Sequence, residues 1–128
     1  MSRVAIGWTA IAFALALTVF ASTPWWSHMG GVVEGLPGKD KTGHFVIMGL
    51  LAGACVVAFV GRTLARRHLS AVQVLALVSL GVTVDEFVQA IVPSRTFDLG
   101  DLVASLAGIL VIGGGAALVQ KRRQTEAP

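Results

Sequence analysis

The sequence predicts an all-α membrane protein of four transmembrane helices. Three observations carry that reading. The 128 residues are 55% hydrophobic and only 13% charged, the mean hydropathy is +0.78, and the apolar residues are gathered into four runs long enough to cross a bilayer. The polar stretches between the runs are too short to fold by themselves, so the chain reads as one domain over residues 1–128.

The first run, residues 4–23, has only small hydroxyls among its apolar side chains. At about 1.5 Å per residue it reaches about 30 Å, the thickness of a hydrocarbon core. A competing reading makes it a signal peptide, with Arg3 as the charged leader and Val19-Phe20-Ala21 as the cleavage site. Against this, the run exceeds a signal peptide's apolar core, and Trp25 and Trp26 follow it as an interfacial belt would. The second run covers 43–60, the third 69–92 and the fourth, which holds no charge, 102–119. Gly49 and Gly53 in the second and Ala104 and Gly108 in the fourth have the small-xxx-small spacing that lets helix backbones approach.

Positive charge orients the runs. Arg3, Arg62, Arg66, Arg67, Lys121, Arg122 and Arg123 belong to the termini and the middle connection, which places both termini in the cytoplasm. Lys39, Lys41 and Arg95 lie on the other side with Glu34, Asp40, Asp85, Glu86, Asp98 and Asp101. Cys55 sits in an apolar run with no second cysteine to pair with, and the clustered charge offers no nucleic-acid surface. The expected partner is the bilayer of the cell membrane, crossed several times.

This topology brings three polar helix ends together on the outer side. The second helix starts with Asp40, Lys41 and His44, the third ends with Asp85, Glu86 and Gln89, and the fourth opens with Asp98 and Asp101 and continues through Ser105. Arg95 lies in the loop between the last two. A charge in the middle of a bilayer costs about 2.5 to 3.5 kcal/mol, so these groups are expected to meet one another rather than lipid. Asp85 points about 100° away from Glu86 around the helix, which leaves its membership open. A purely structural alternative has the cluster staple the helix ends, with Asp98 or Asp101 capping the fourth helix. One imidazole with several carboxylates does not specify a metal, and no cofactor is expected.

Asp40-Lys41-x-x-His44, Glu86-x-x-Gln89, Pro93-x-Arg95 and Asp98-x-x-Asp101-x-x-Ala104-x-x-x-Gly108 together resemble the VanZ-like family of small bacterial membrane proteins. The resemblance covers about residues 39–113, with Ser105 where the family usually has Asn. It implies a cell-envelope role, associated in the founding member with teicoplanin resistance, and no agreed biochemical activity. Two functions compete most strongly. In one, the cluster binds an envelope lipid headgroup or a cell-wall precursor. In the other, a membrane hydrolase or transferase works on a lipid-linked substrate through His44 with Glu86 or Asp101, although neither HExxH nor GxSxG is present. A proton or ion path is a third reading, with only Thr83, Ser79 and Gln73 below Asp85 to continue it.

Overall fold

The computed structural model describes residues 2–21, 39–64, 66–93 and 97–126. They form four helices: α1 (Arg3–Ala21), α2 (Lys39–Phe59), α3 (Ala71–Gln89) and α4 (Leu99–Glu126). Three helical stretches are long and apolar enough to cross a membrane, namely Lys41–Phe59, Ala71–Gln89 and Leu99–Glu126, while α1 is apolar over Arg3–Val19. Trp25, Trp26, Glu34 and Arg95 lie outside the described residues.

The helix ends depart from the apolar runs, and each departure has a local cause. α2 begins at Lys39, before the expected Gly43, because its polar first turn continues the helix beyond the apolar segment. α3 begins at Ala71, after the expected Leu69, because Ser70 caps it: the Ser70 hydroxyl accepts from the Gln73 amide at 3.2 Å, and Gln73 Oε1 accepts from the Ser70 amide at 2.9 Å. It stops at Gln89, short of Val92. The amides of Ala90, Ile91 and Val92 there turn to carbonyls three residues back, tightening the chain ahead of Pro93. α4 begins at Leu99, before Leu102, because Asp98 caps it, and runs past Val119 to Glu126 through residues that favour helix.

α2 is the central helix and packs against the other three. Its crossing with α4 is set by glycine. A Cβ on Gly108 would coincide with the carbonyl oxygen of Phe45, and one on Gly49 would lie 2.6 Å from Ile112 Cδ1 and 2.8 Å from the Gly108 oxygen. The expected small-residue contact is therefore real at Gly49 and Gly108. Gly53, with Ala116 Cβ 3.7 Å from its would-be Cβ, is only in ordinary contact. Just past Gly108, α4 widens into a π-helical turn over Ile109–Gly113. Ala52, Val82 and Ile109 make one buried cluster and Cys55, Val56 and Val74 a second.

At the opposite end from the polar cluster, α2 and α3 are joined by a short antiparallel hairpin, β1 (Thr63–Leu64) and β2 (Arg67–His68). The apolar runs carried no signal for it. Gly61 at φ +81° ends α2 and its amide donates to the Leu69 carbonyl at 2.9 Å. Asp98 lies beside Lys41 and Glu86 at the far end, so α2 and α4 run in one direction and α3 runs antiparallel to both.

Candidate functional site

Of the residues that read as a site from their order in the chain, Lys41, His44, Glu86, Asp98, Asp101 and Ser105 meet at one end of α2, α3 and α4. Asp98 is the pivot. Its Oδ1 accepts from the Gly100 amide at 2.7 Å, which starts α4. Its Oδ2 is 3.4 Å from Lys41 Nζ on α2, and its own amide donates to Glu86 Oε1 on α3 at 3.4 Å. One residue thus ties three helix ends. The Gly100 N–H, with Lys41 second, holds the Asp98 carboxyl below the usual carboxylate range.

Beneath this exposed layer lies a more buried one. His44 Nδ1 is 3.3 Å from Ser105 Oγ, and His44 Nε2 is 3.7 Å from Asp101 Oδ2. A proton on Nε2 suits both contacts, since the Ser105 hydroxyl then donates to Nδ1 while Nε2–H faces the carboxylate. Asp101 Oδ1 lies 3.6 Å from Lys41 Nζ and is buried without a hydrogen bond. That separation is an ion pair, too long for a hydrogen bond.

Ser105, Glu86 and Gln89 are the buried polar side chains of the described residues, at 1%, 3% and 5% exposure. Gln89 Nε2 donates to Asp85 Oδ2 at 2.9 Å, a bond within α3 that ties Asp85 to Gln89, and Asp85 also lines a groove between α1 and α3. His44 faces Asp101 and Ser105 rather than Glu86, which separates the two carboxylates offered above as its partner. Asp101 lies in the first turn of α4 and Asp98 does the capping. Asp40 is in the first turn of α2, and its side chain lies outside what is described, as does Arg95.

Two residues escaped the sequence reading. A Cβ on Gly100 would lie 2.6 Å from Lys41 Cε, so this glycine lets the Lys41 stem cross the first turn of α4. Its signal was its place between the two acids in Asp98-Leu99-Gly100-Asp101. Phe97 stacks on Phe87 with ring centroids 5.4 Å apart, packing the chain ahead of Asp98 onto the end of α3.

No family model, curated protein or solved structure matches the chain. The site is therefore read from its own chemistry. The described side chains set Asp85, Glu86, Asp98 and Asp101 against one ammonium, Lys41, so the site accepts hydrogen bonds more readily than it donates them. Hydroxyl, amide or ammonium groups suit its carboxylates, and an anionic oxygen suits Lys41. No group of three or more metal-ligating side chains occurs among the described residues. Further along α3, Thr83 Oγ1 donates to the Ser79 carbonyl at 2.8 Å and Gln73 is engaged in the Ser70 cap. Of the side chains that would have extended a proton path, those of Thr83 and Gln73 are thus bonded within or at the cap of their own helix.

Proposed function

We propose that this chain is a multi-pass protein of the cell membrane, with four transmembrane helices and both termini in the cytoplasm. Its outward-facing polar cluster holds the headgroup of an envelope lipid or cell-wall precursor. The observation that carries the reading is the convergence of Lys41, His44, Glu86, Gln89, Asp98, Asp101 and Ser105 at one end of otherwise apolar helices. Such groups are costly within a membrane-spanning helix and mark functional positions. Arg3, Arg62, Arg66 and Arg67 at the opposite end support a cytoplasmic assignment there. The likeness to the VanZ-like family supports the envelope role.

In this reading Lys41, half-exposed above the cluster, contacts a phosphate, while the half-exposed Asp98 carboxylate accepts hydrogen bonds from sugar or amide groups. A hydrolase or transferase is the second reading, favoured by the Ser105–His44–Asp101 relay. Ser105 is fully buried, so His44 is the member of the relay that could reach a substrate. Purified wild-type protein should retain a glycosylated polyprenyl phosphate, and Lys41→Ala and Glu86→Ala, inserted at normal abundance, should each release it. Equal retention by all three refutes the headgroup site. Turnover that His44→Ala abolishes would establish the enzyme instead. In cells, lost protection against teicoplanin at preserved Glu86→Ala abundance would link the cluster to envelope function.

A further inference from the structure

A groove of about 480 Å³ runs between α1 and α3 over the face of α2. Its lining is apolar except for Thr18 and, at one end, Asp85. α1 packs chiefly on α2, closely enough that a Cβ on Gly7 would crowd Ala58 and Phe59, and it makes no comparable contact with α3. Among the described residues the two outer helices therefore stand apart, and nothing of α1 or α3 closes the groove between them.

The groove is continuous with the polar cluster along two helix faces. On α2 its lining residues Met48, Cys55 and Phe59 fall on the same stripe as Lys41 and His44, at four, eleven and fifteen residues beyond His44. On α3 the lining residues Val78, Val82 and Asp85 lead to Gln89, which bonds Asp85. Each apolar stripe thus ends in members of the site. From the level of Lys41 to that of Phe59 is 18 residues, about 27 Å by helical rise. One leaflet of a hydrocarbon core about 30 Å thick is about half that depth. A tail whose head sits at the cluster and which follows the groove to its floor must cross the bilayer midplane.

We propose that the groove holds the hydrocarbon tail of a long-chain lipid, of polyprenyl length, whose polar head occupies the cluster. This rests on the headgroup reading above and adds the ligand's other half. Lipid tails are as apolar as the groove, so the groove selects by shape and length and gains nothing from excluding water. Gly81 lines the groove, and a Cβ placed on it meets nothing within 4 Å, so a larger side chain there plugs the groove without disturbing the helices.

The test uses the full chain in phosphatidylcholine nanodiscs, where bulk acyl chains compete, with a long polyprenyl phosphate and farnesyl phosphate as probes of one headgroup and two lengths. Wild type should retain the long chain about tenfold more tightly, a difference of about 1.4 kcal/mol. Gly81→Leu, unfolding like wild type, should bring the long chain down to the farnesyl level, and Lys41→Ala should weaken both probes by one factor. Equal retention of the two by wild type, with both released by Lys41→Ala, overturns the groove and leaves the headgroup site standing. Retention of neither overturns both. A dimer that Gly81→Leu dissociates would put a second copy in the groove and overturn the proposal.

Discussion

Replacing Gly108 with alanine tests whether the α2–α4 crossing holds the site in register. The added Cβ would coincide with the Phe45 carbonyl oxygen and lie 2.7 Å from its carbon and 2.9 Å from Phe45 Cα. All three are backbone atoms, so no rotamer relieves the clash and the helices must part. Overpacking of this kind costs about 1 to 3 kcal/mol, or about 5- to 150-fold in the folding equilibrium. The loss weighs heavily here because close packing, rather than water exclusion, holds membrane helices together. Gly53→Ala is the matched control on α2, since its Cβ would find Ala116 Cβ at 3.7 Å and Ile112 Cγ2 at 3.9 Å, ordinary contact distances.

The two variants are compared by reversible unfolding in mixed micelles. Gly108→Ala should be destabilised by the stated amount and Gly53→Ala should match wild type or exceed it. Gly108 lies one turn beyond Ser105, and Phe45 follows His44, so parting the helices also lengthens the Ser105–His44 hydrogen bond of 3.3 Å. Ligand retention should therefore fall in Gly108→Ala even below its melting transition. Equal stability of the two variants, or a Gly108→Ala protein that unfolds like wild type, refutes the close crossing.

Ser105→Ala removes the hydroxyl between α4 and His44 and should cost about 1 kcal/mol, the net value of one hydrogen bond, while Ser105→Thr keeps the donor and overpacks a fully buried position; a denaturant midpoint unchanged by Ser105→Ala would show that the contact contributes nothing. Asp98 gives a pH dependence. Because its folded carboxyl titrates below its ordinary value of 3.8, its contribution is present above that pH and lost as pH falls through the lowered value. Wild-type stability should accordingly drop further on acidification than that of Asp98→Asn, which keeps an acceptor for Gly100 but has no charge to lose. Parallel acid profiles for the two proteins would contradict this.

The fold was legible where hydropathy alone decides it. The first apolar run is helix from Val4 as far as it is described, to Ala21, the other three runs also hold helices, and the end at which the carboxylates gather followed from where the chain turns back. Helix limits were less legible, because they depend on polar groups hydropathy does not read: the Ser70–Gln73 exchange delays α3, and Asp98 brings α4 forward to Leu99. Within the site, helical spacing found Glu86 and Gln89, and it found Lys41 and His44 on one face. It could not choose a partner for His44, because the distances to Glu86 and Asp101 are set by how α3 and α4 dock on α2, the latter fixed by the close approach at Gly49 and Gly108. The π-helical turn at Ile109–Gly113 and the hairpin at Thr63–His68 carry no periodic signal and were invisible for that reason.

Glu86 shows why stapling and binding need not be rival accounts of the cluster. A buried carboxylate in an apolar helix is costly unless a donor meets it, and here the donor is the backbone amide of Asp98. That residue's side chain starts α4 and faces Lys41, the cation assigned to a ligand's phosphate. The group that compensates the burial of Glu86 therefore also sets the position of Asp101 one turn later. On the proposed headgroup reading, a ligand that draws Lys41 away from Asp98 and Asp101 should loosen the contact between α2 and α4 at their polar ends, above the close crossing at Gly49 and Gly108. If that reading holds, Lys41→Ala should shift headgroup retention and helix spacing together. Glu86→Gln, which keeps an acceptor for the Asp98 amide, should preserve the spacing while lowering the site's negative charge.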